Sequence, residues 1–129
     1  MNRAARGWRI LPALLVMAGI FFMSHLPGKD VPLPPVFGID KLLHAGAYAV
    51  LARTIFFALD PRPAGRPSRG LCLLVVALTV LYGISDEFHQ SFVPGRFPSG
   101  WDVAADAVGG LLAVWLRMAE ARNQKPETR

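Results

Sequence analysis

A chain of 129 residues, 53% of them hydrophobic and with a mean hydropathy of +0.36, is long enough to bury one soluble core. Its apolar residues instead come in runs nearly long enough to cross a bilayer, which reads as membrane helices and against a soluble globule. The formal net charge is +5, but the arginines flank the apolar runs and no nucleic-acid module accompanies them, so they read as orientation signals and no nucleic-acid partner is expected.

Arg3, Arg6 and Arg9 precede the first apolar run, Ile10 to Met23, in which Pro12 lies near enough to the start to be tolerated. No small-x-small cleavage site follows, so the run reads as an uncleaved transmembrane helix and not a signal peptide. Pro27 to Ile39, rich in proline, is an extended connection. Asp40 to Leu59 is the second helix, with Asp40 as its expected N-cap and Ala45, Gly46, Ala47, Ala49 and Ala52 as small residues for close helix packing. A basic, proline-rich loop from Asp60 to Gly70 leads to the third helix, Leu71 to Gln90. Cys72, the single cysteine, excludes an intrachain disulfide and reads as a small buried hydrophobe. Ser91 to Gly100 must turn, and Trp101 to Met118 is the fourth helix, with Ala105, Gly109 and Ala113 on one small-residue face. Trp8 and Trp101 suit the membrane interfaces. From Ala119 to Arg129 the chain is a polar, frayed tail.

The expected fold is therefore all-α: an integral membrane four-helix bundle forming one domain over residues 1–129. Lysines and arginines concentrate before the first helix, in the Asp60–Gly70 loop and from Arg117 onward, which places both termini in the cytoplasm. Arg53, inside the second helix, falls near the cytoplasmic interface, where it can snorkel.

That topology gathers residues distant in sequence at the outer surface. Asp40, Lys41 and His44 open the second helix, with Tyr48 continuing their face. Asp86, Glu87, His89 and Gln90 close the third, where the helix dipole disfavours adjacent acids and capping does not account for them. Ser99 and Asp102 have capping-box spacing, but Asp106, one turn deeper, is beyond the reach of a cap and needs a partner. Arg96 is the expected partner, since a guanidinium can bridge carboxylates or hold a phosphate. His25 ends the first helix on the same side.

Asp40-Lys41 with His44 and Tyr48, Ser85 to Gln90, Val93 to Arg96, and Asp102-Val-Ala-Ala-Asp106 with Gly109 resemble the VanZ-like family over about residues 40–110. The family often carries Asn where this chain has Asp106. The resemblance implies a multi-pass protein of the bacterial cytoplasmic membrane, related to a protein associated with teicoplanin resistance.

Four functions fit these residues, one of them proton or ion transport through the bundle. The outer polar cluster binds or modulates an envelope component, with membrane lipid and a lipid-linked wall precursor or glycopeptide as partners. Alternatively, its carboxylates and histidines perform acid–base chemistry in a membrane enzyme. In a third reading, His25, His44 and His89 join the acids at a metal site. No closely spaced ligand pair supports the last, so neither metal nor other cofactor is expected.

Overall fold

The computed structural model describes residues 7–61 and 65–124. Arg3, Arg6, Arg62, Lys125 and Arg129, which contributed to the orientation reading, lie outside them, as does the end of the expected tail.

Each apolar run forms a helix, and proline and glycine set the ends. A 3-10 turn at Trp8–Ile10 runs into α1, Leu11–His25, with Pro12 in the first turn, where its missing N–H leaves no bond unmade. Leu26, held extended by the following Pro27, ends α1. A second 3-10 turn, Gly28–Asp30, interrupts the connection to α2, Ile39–Leu59. The residue at the N-cap of α2 is Gly38, not Asp40: its φ of +78° is a left-handed conformation suited to glycine, and it leaves Asp40 inside the first turn. Asp60, before Pro61, ends α2 in extended backbone. The third helix, α3, spans Arg69–Gln90, and the Ser68 hydroxyl accepts the Leu71 N–H at its N-terminus. The fourth, α4, spans Gly100–Asn123, capped by the Ser99 hydroxyl accepting the Trp101 N–H. No strand occurs among the described residues.

Helix α4 runs past Met118, so Ala119 to Asn123 is helical and not frayed. Glu120 accepts from Arg53 at 3.0 Å, giving that arginine a protein partner where snorkelling alone was expected. At the same end Arg117 donates to Asp60 at 2.9 Å and to the Gly65 carbonyl at 2.6 Å, and Arg9 lies over the Phe57 ring.

Helices α2 and α4 pack against each other most extensively. Gly109 makes that approach possible: a Cβ there would run into the Ala45 carbonyl oxygen and come within 2.9 Å of the Ala49 nitrogen. Tyr48, Leu51, Ala52, Val75 and Ala113 fill the interior.

Apolar and polar residues are inverted relative to a soluble bundle. Leu15, Phe22, Leu42 and Leu73 point outward, each about two-thirds exposed or more, while Asp86, Glu87, Asp102 and Asp106 are buried. So large an apolar surface belongs in lipid. Trp8–His25, Ile39–Leu59 and Arg69–Gln90 are long and apolar enough to cross a membrane. Helix α4 is more polar overall, but Asp102, Asp106 and Arg117 are buried. Its outer face carries Val108, Leu111, Leu112, Trp115 and Leu116.

Candidate functional site

Helices α2 and α4 begin, and α1 and α3 finish, at one end of the bundle, and there most of the polar residues singled out in the sequence meet. Lys41 is the link at the rim. Its ammonium lies 2.6 Å from Asp40 and 2.5 Å from Asp102, joining the first turns of α2 and α4. One turn deeper, His44 Nδ1–H donates to Asp106 Oδ1 at 2.9 Å. Asp106 is completely buried, and its Oδ2 has no hydrogen-bond partner. It fits because α3 has no side chain opposite: a Cβ on Gly83 would lie 2.5 Å from Oδ2. Tyr48 stacks nearly parallel to His44, and its buried hydroxyl lies toward the Asp86 carboxylate.

The end of α3 supplies the opposite wall. Glu87 Oε2 accepts the backbone N–H of Ser99 at 2.8 Å. The sequence spacing assigned the reciprocal half of a capping box to Asp102. In the fold, Glu87 takes the Ser99 N–H and Asp102 turns to Lys41. Both acids are buried. Gln90 donates to Asp86 at 3.1 Å and lies 3.4 Å from the Ser24 hydroxyl, connecting this wall to α1. Nothing in the sequence marked Ser24 or Gly83 for these contacts, since both depend on which helices become neighbours.

Two expected members face elsewhere. Arg96 donates to the backbone carbonyls of Leu26 at 2.9 Å and Met23 at 2.5 Å, so it closes the end of α1 and is not the carboxylates' partner. Exposed carbonyls at a helix C-terminus attract a guanidinium for the same electrostatic reason that carboxylates do. His89 stacks on Phe21 at 4.5 Å, and its Nε2 lies 3.2 Å from His25 Nδ1. The cluster therefore comprises Asp40, Lys41, His44, Tyr48, Asp86, Glu87, Gln90, Asp102 and Asp106, with His25 and His89 as a separate pair beside it.

Chemically the cluster is rich in acceptors. Against the carboxylates of Asp40, Asp86, Glu87, Asp102 and Asp106 stand the Lys41 ammonium, on Asp40 and Asp102, and the His44 ring, on Asp106. Such a site suits a cation or a ligand with hydroxyl, amide or ammonium donors; a bare anion would meet net repulsion. One donor atom from each of His44, Glu87 and Asp102 lies within 4.8 Å of the others, close enough to share an ion.

Neither curated proteins nor solved structures gave a significant match to this chain. The family model VanZ/LLP1 matches residues 9–119, which takes in all four helices of the bundle apart from the last turn of α4. With its apolar helices and a match over most of its length, the chain belongs to the VanZ-like family of membrane proteins.

Proposed function

We propose that all four helices cross the bacterial cytoplasmic membrane with both termini inside, and that the polar cluster binds a component of the cell envelope at the outer leaflet. The observation that carries this reading is the convergence of buried carboxylates from α3 and α4 with Lys41 and His44 of α2. Ionisable groups within a membrane bundle are costly, and function is their default explanation. The excess of acceptors favours a ligand that brings donors. A lipid-linked wall precursor or a glycopeptide answers that description, with sugar hydroxyls and amides that Asp86, Asp102 and Gln90 can engage. Acyl chains in the surrounding lipid would hold such a precursor beside the bundle.

The test is native mass spectrometry of the reconstituted protein offered a lipid-linked wall precursor against phosphatidylglycerol. The precursor should be retained preferentially, and Asp86→Asn should weaken retention at least tenfold while the protein still inserts and keeps its melting temperature. Equal retention of both lipids, or parallel loss of folding and binding, would return the cluster to a purely structural role. Impermeant cysteine labelling should reach positions in 27–39 and 91–100 from outside; labelling of the loop 60–70 from that side would reverse the orientation.

A second reading has its own observation. The His44–Asp106 pair has the geometry of a base held by a carboxylate, as general acid–base catalysis requires. Turnover of the bound ligand, abolished by His44→Ala with binding retained, would move the enzyme reading ahead.

A further inference from the structure

We propose that His44, Glu87 and Asp102 form a binding site for a divalent first-row ion such as Zn2+ or Mn2+. The site deepens the envelope-binding reading by locating a cation within the same cluster, and rests on it only for the identity of the ion's outer ligand.

Each of the three residues has one atom fixed by an orienting partner and one left over. His44 gives Nδ1–H to Asp106, which leaves the Nε2 lone pair. Glu87 Oε2 holds the Ser99 N–H, which leaves Oε1 facing Gln90 Nε2 at 3.5 Å, too long for a good bond. Asp102 Oδ1 holds Lys41, which leaves Oδ2. Metal-binding histidines are commonly oriented by a carboxylate on their other ring nitrogen, as Asp106 does here.

The three residues come from α2, α3 and α4, and both acids are about nine-tenths buried or more. One donor atom from each residue lies within 4.8 Å of the others, and bringing the three free atoms around an ion with bonds of ~2.1 Å asks for side-chain adjustment without movement of the helices. The surroundings lack positive charge in proportion: Lys41 is shared between Asp40 and Asp102, and Arg96 is engaged on carbonyls. Beside the three, Asp106 Oδ2 is completely buried without a hydrogen-bond partner, so the polar interior is under-compensated by protein groups alone. One nitrogen with two carboxylate oxygens suits Zn2+ or Mn2+ and leaves coordination positions open. An open position would let an ion hold a phosphate-bearing headgroup that the bare carboxylates repel.

Sequence spacing pointed away from a metal because no two of these residues lie a few positions apart. Packing of α2, α3 and α4 supplies the proximity instead.

The test uses metal alone. The full chain in detergent is stripped with a chelator, dialysed, and titrated with Zn2+ or Mn2+. Bound metal is counted by elemental mass spectrometry and melting temperature is followed in parallel. One ion per chain is expected, with a rise in melting temperature. His44→Ala, Glu87→Gln and Asp102→Asn should each weaken binding at least tenfold, and Asp106→Asn should weaken it by a smaller factor. Lys41→Met should tighten binding by removing a competing cation, whereas a purely structural network gives no reason for a gain. His25→Asn, outside the three, should leave stoichiometry unchanged. No bound ion in a folded chain, or one ion still bound when all three residues are replaced, overturns the site. Repeating the lipid measurement with and without chelator separates the two proposals. Metal binding without precursor binding removes only the envelope reading; precursor binding by a chain that takes up no metal removes only the ion.

Discussion

Glu87, in the last turn of α3, accepts the backbone N–H of Ser99 at 2.8 Å, so the end of one helix caps the beginning of the next. A buried carboxylate thereby satisfies a donor that the Ser91–Gly100 turn would otherwise strand. Glu87→Ala should cost about 1 kcal/mol, the penalty of a part-buried N–H left without its acceptor. Glu87→Gln keeps a carbonyl oxygen within reach and should cost about half as much or less. Melting temperatures of the two variants in detergent check the order, and equal losses would mean that the charge, not the cap, is what stabilises.

Gly109 sets the α2–α4 distance. A Cβ there meets backbone on Ala45 and Ala49, which cannot rotate away, so Gly109→Ala should destabilise by about 1–3 kcal/mol through forced separation of the helices. At Gly46, in the middle of α2, a Cβ meets nothing within 4 Å. Gly46→Ala should be neutral or stabilising by up to ~1 kcal/mol through helix propensity. Thermal unfolding of the pair gives the comparison; a loss at position 46 as large as at 109 would point to a partner on that face.

Arg96 fastens the end of α1 through two carbonyls. Lysine offers no planar fork, so Arg96→Lys should retain one of the two bonds at best and loosen residues 23–31 by about 1 kcal/mol. Hydrogen exchange should rise in that segment. Unchanged exchange there, with altered behaviour of Asp86 or Asp102, would restore the carboxylate pairing suggested by the sequence.

His89→Phe tests the histidine pair. The ring stack on Phe21 survives this change, the exposed bond to His25 is lost, and an enclosed Nδ1 without a partner is removed. Stability should therefore change by less than about 1 kcal/mol. A large loss of ligand binding in a variant with an unchanged melting temperature would bring His89 into the functional cluster.

The four helices were legible because each apolar run is bounded by proline or glycine, and the gathering of Lys41, His44, Asp86 and Asp106 followed from alternating direction alone. Partner choice was not legible. Which acid meets the Ser99 N–H depends on how α3 turns against α4, and local spacing favoured Asp102 where the fold uses Glu87. Arg96 was misread because sequence displays carboxylates but not the bare carbonyls at a helix end. Past Met118, α4 sets Glu120 opposite Arg53, a contact 67 residues apart that local sequence does not display. Gly38 displaced Asp40 as N-cap because the turn into α2 needs a positive φ.

The tethers of α1 carry a consequence for biosynthesis. Its C-terminal end is held by His89, Gln90, the Pro94 carbonyl on the Gly28 N–H, and Arg96, all of which follow it by more than sixty residues. Made before the other three helices, α1 must wait in the bilayer with the Leu26 carbonyl unclaimed, and the Met23 carbonyl held only by the Leu26 N–H, until the α3–α4 turn has been translated. First of the four helices to be made, it is fastened at its end only after α3 is complete. A nascent chain halted before Ser91 should therefore hold α1 loosely, free to exchange partners with other membrane helices, and translation through Arg96 is the step that fastens its end.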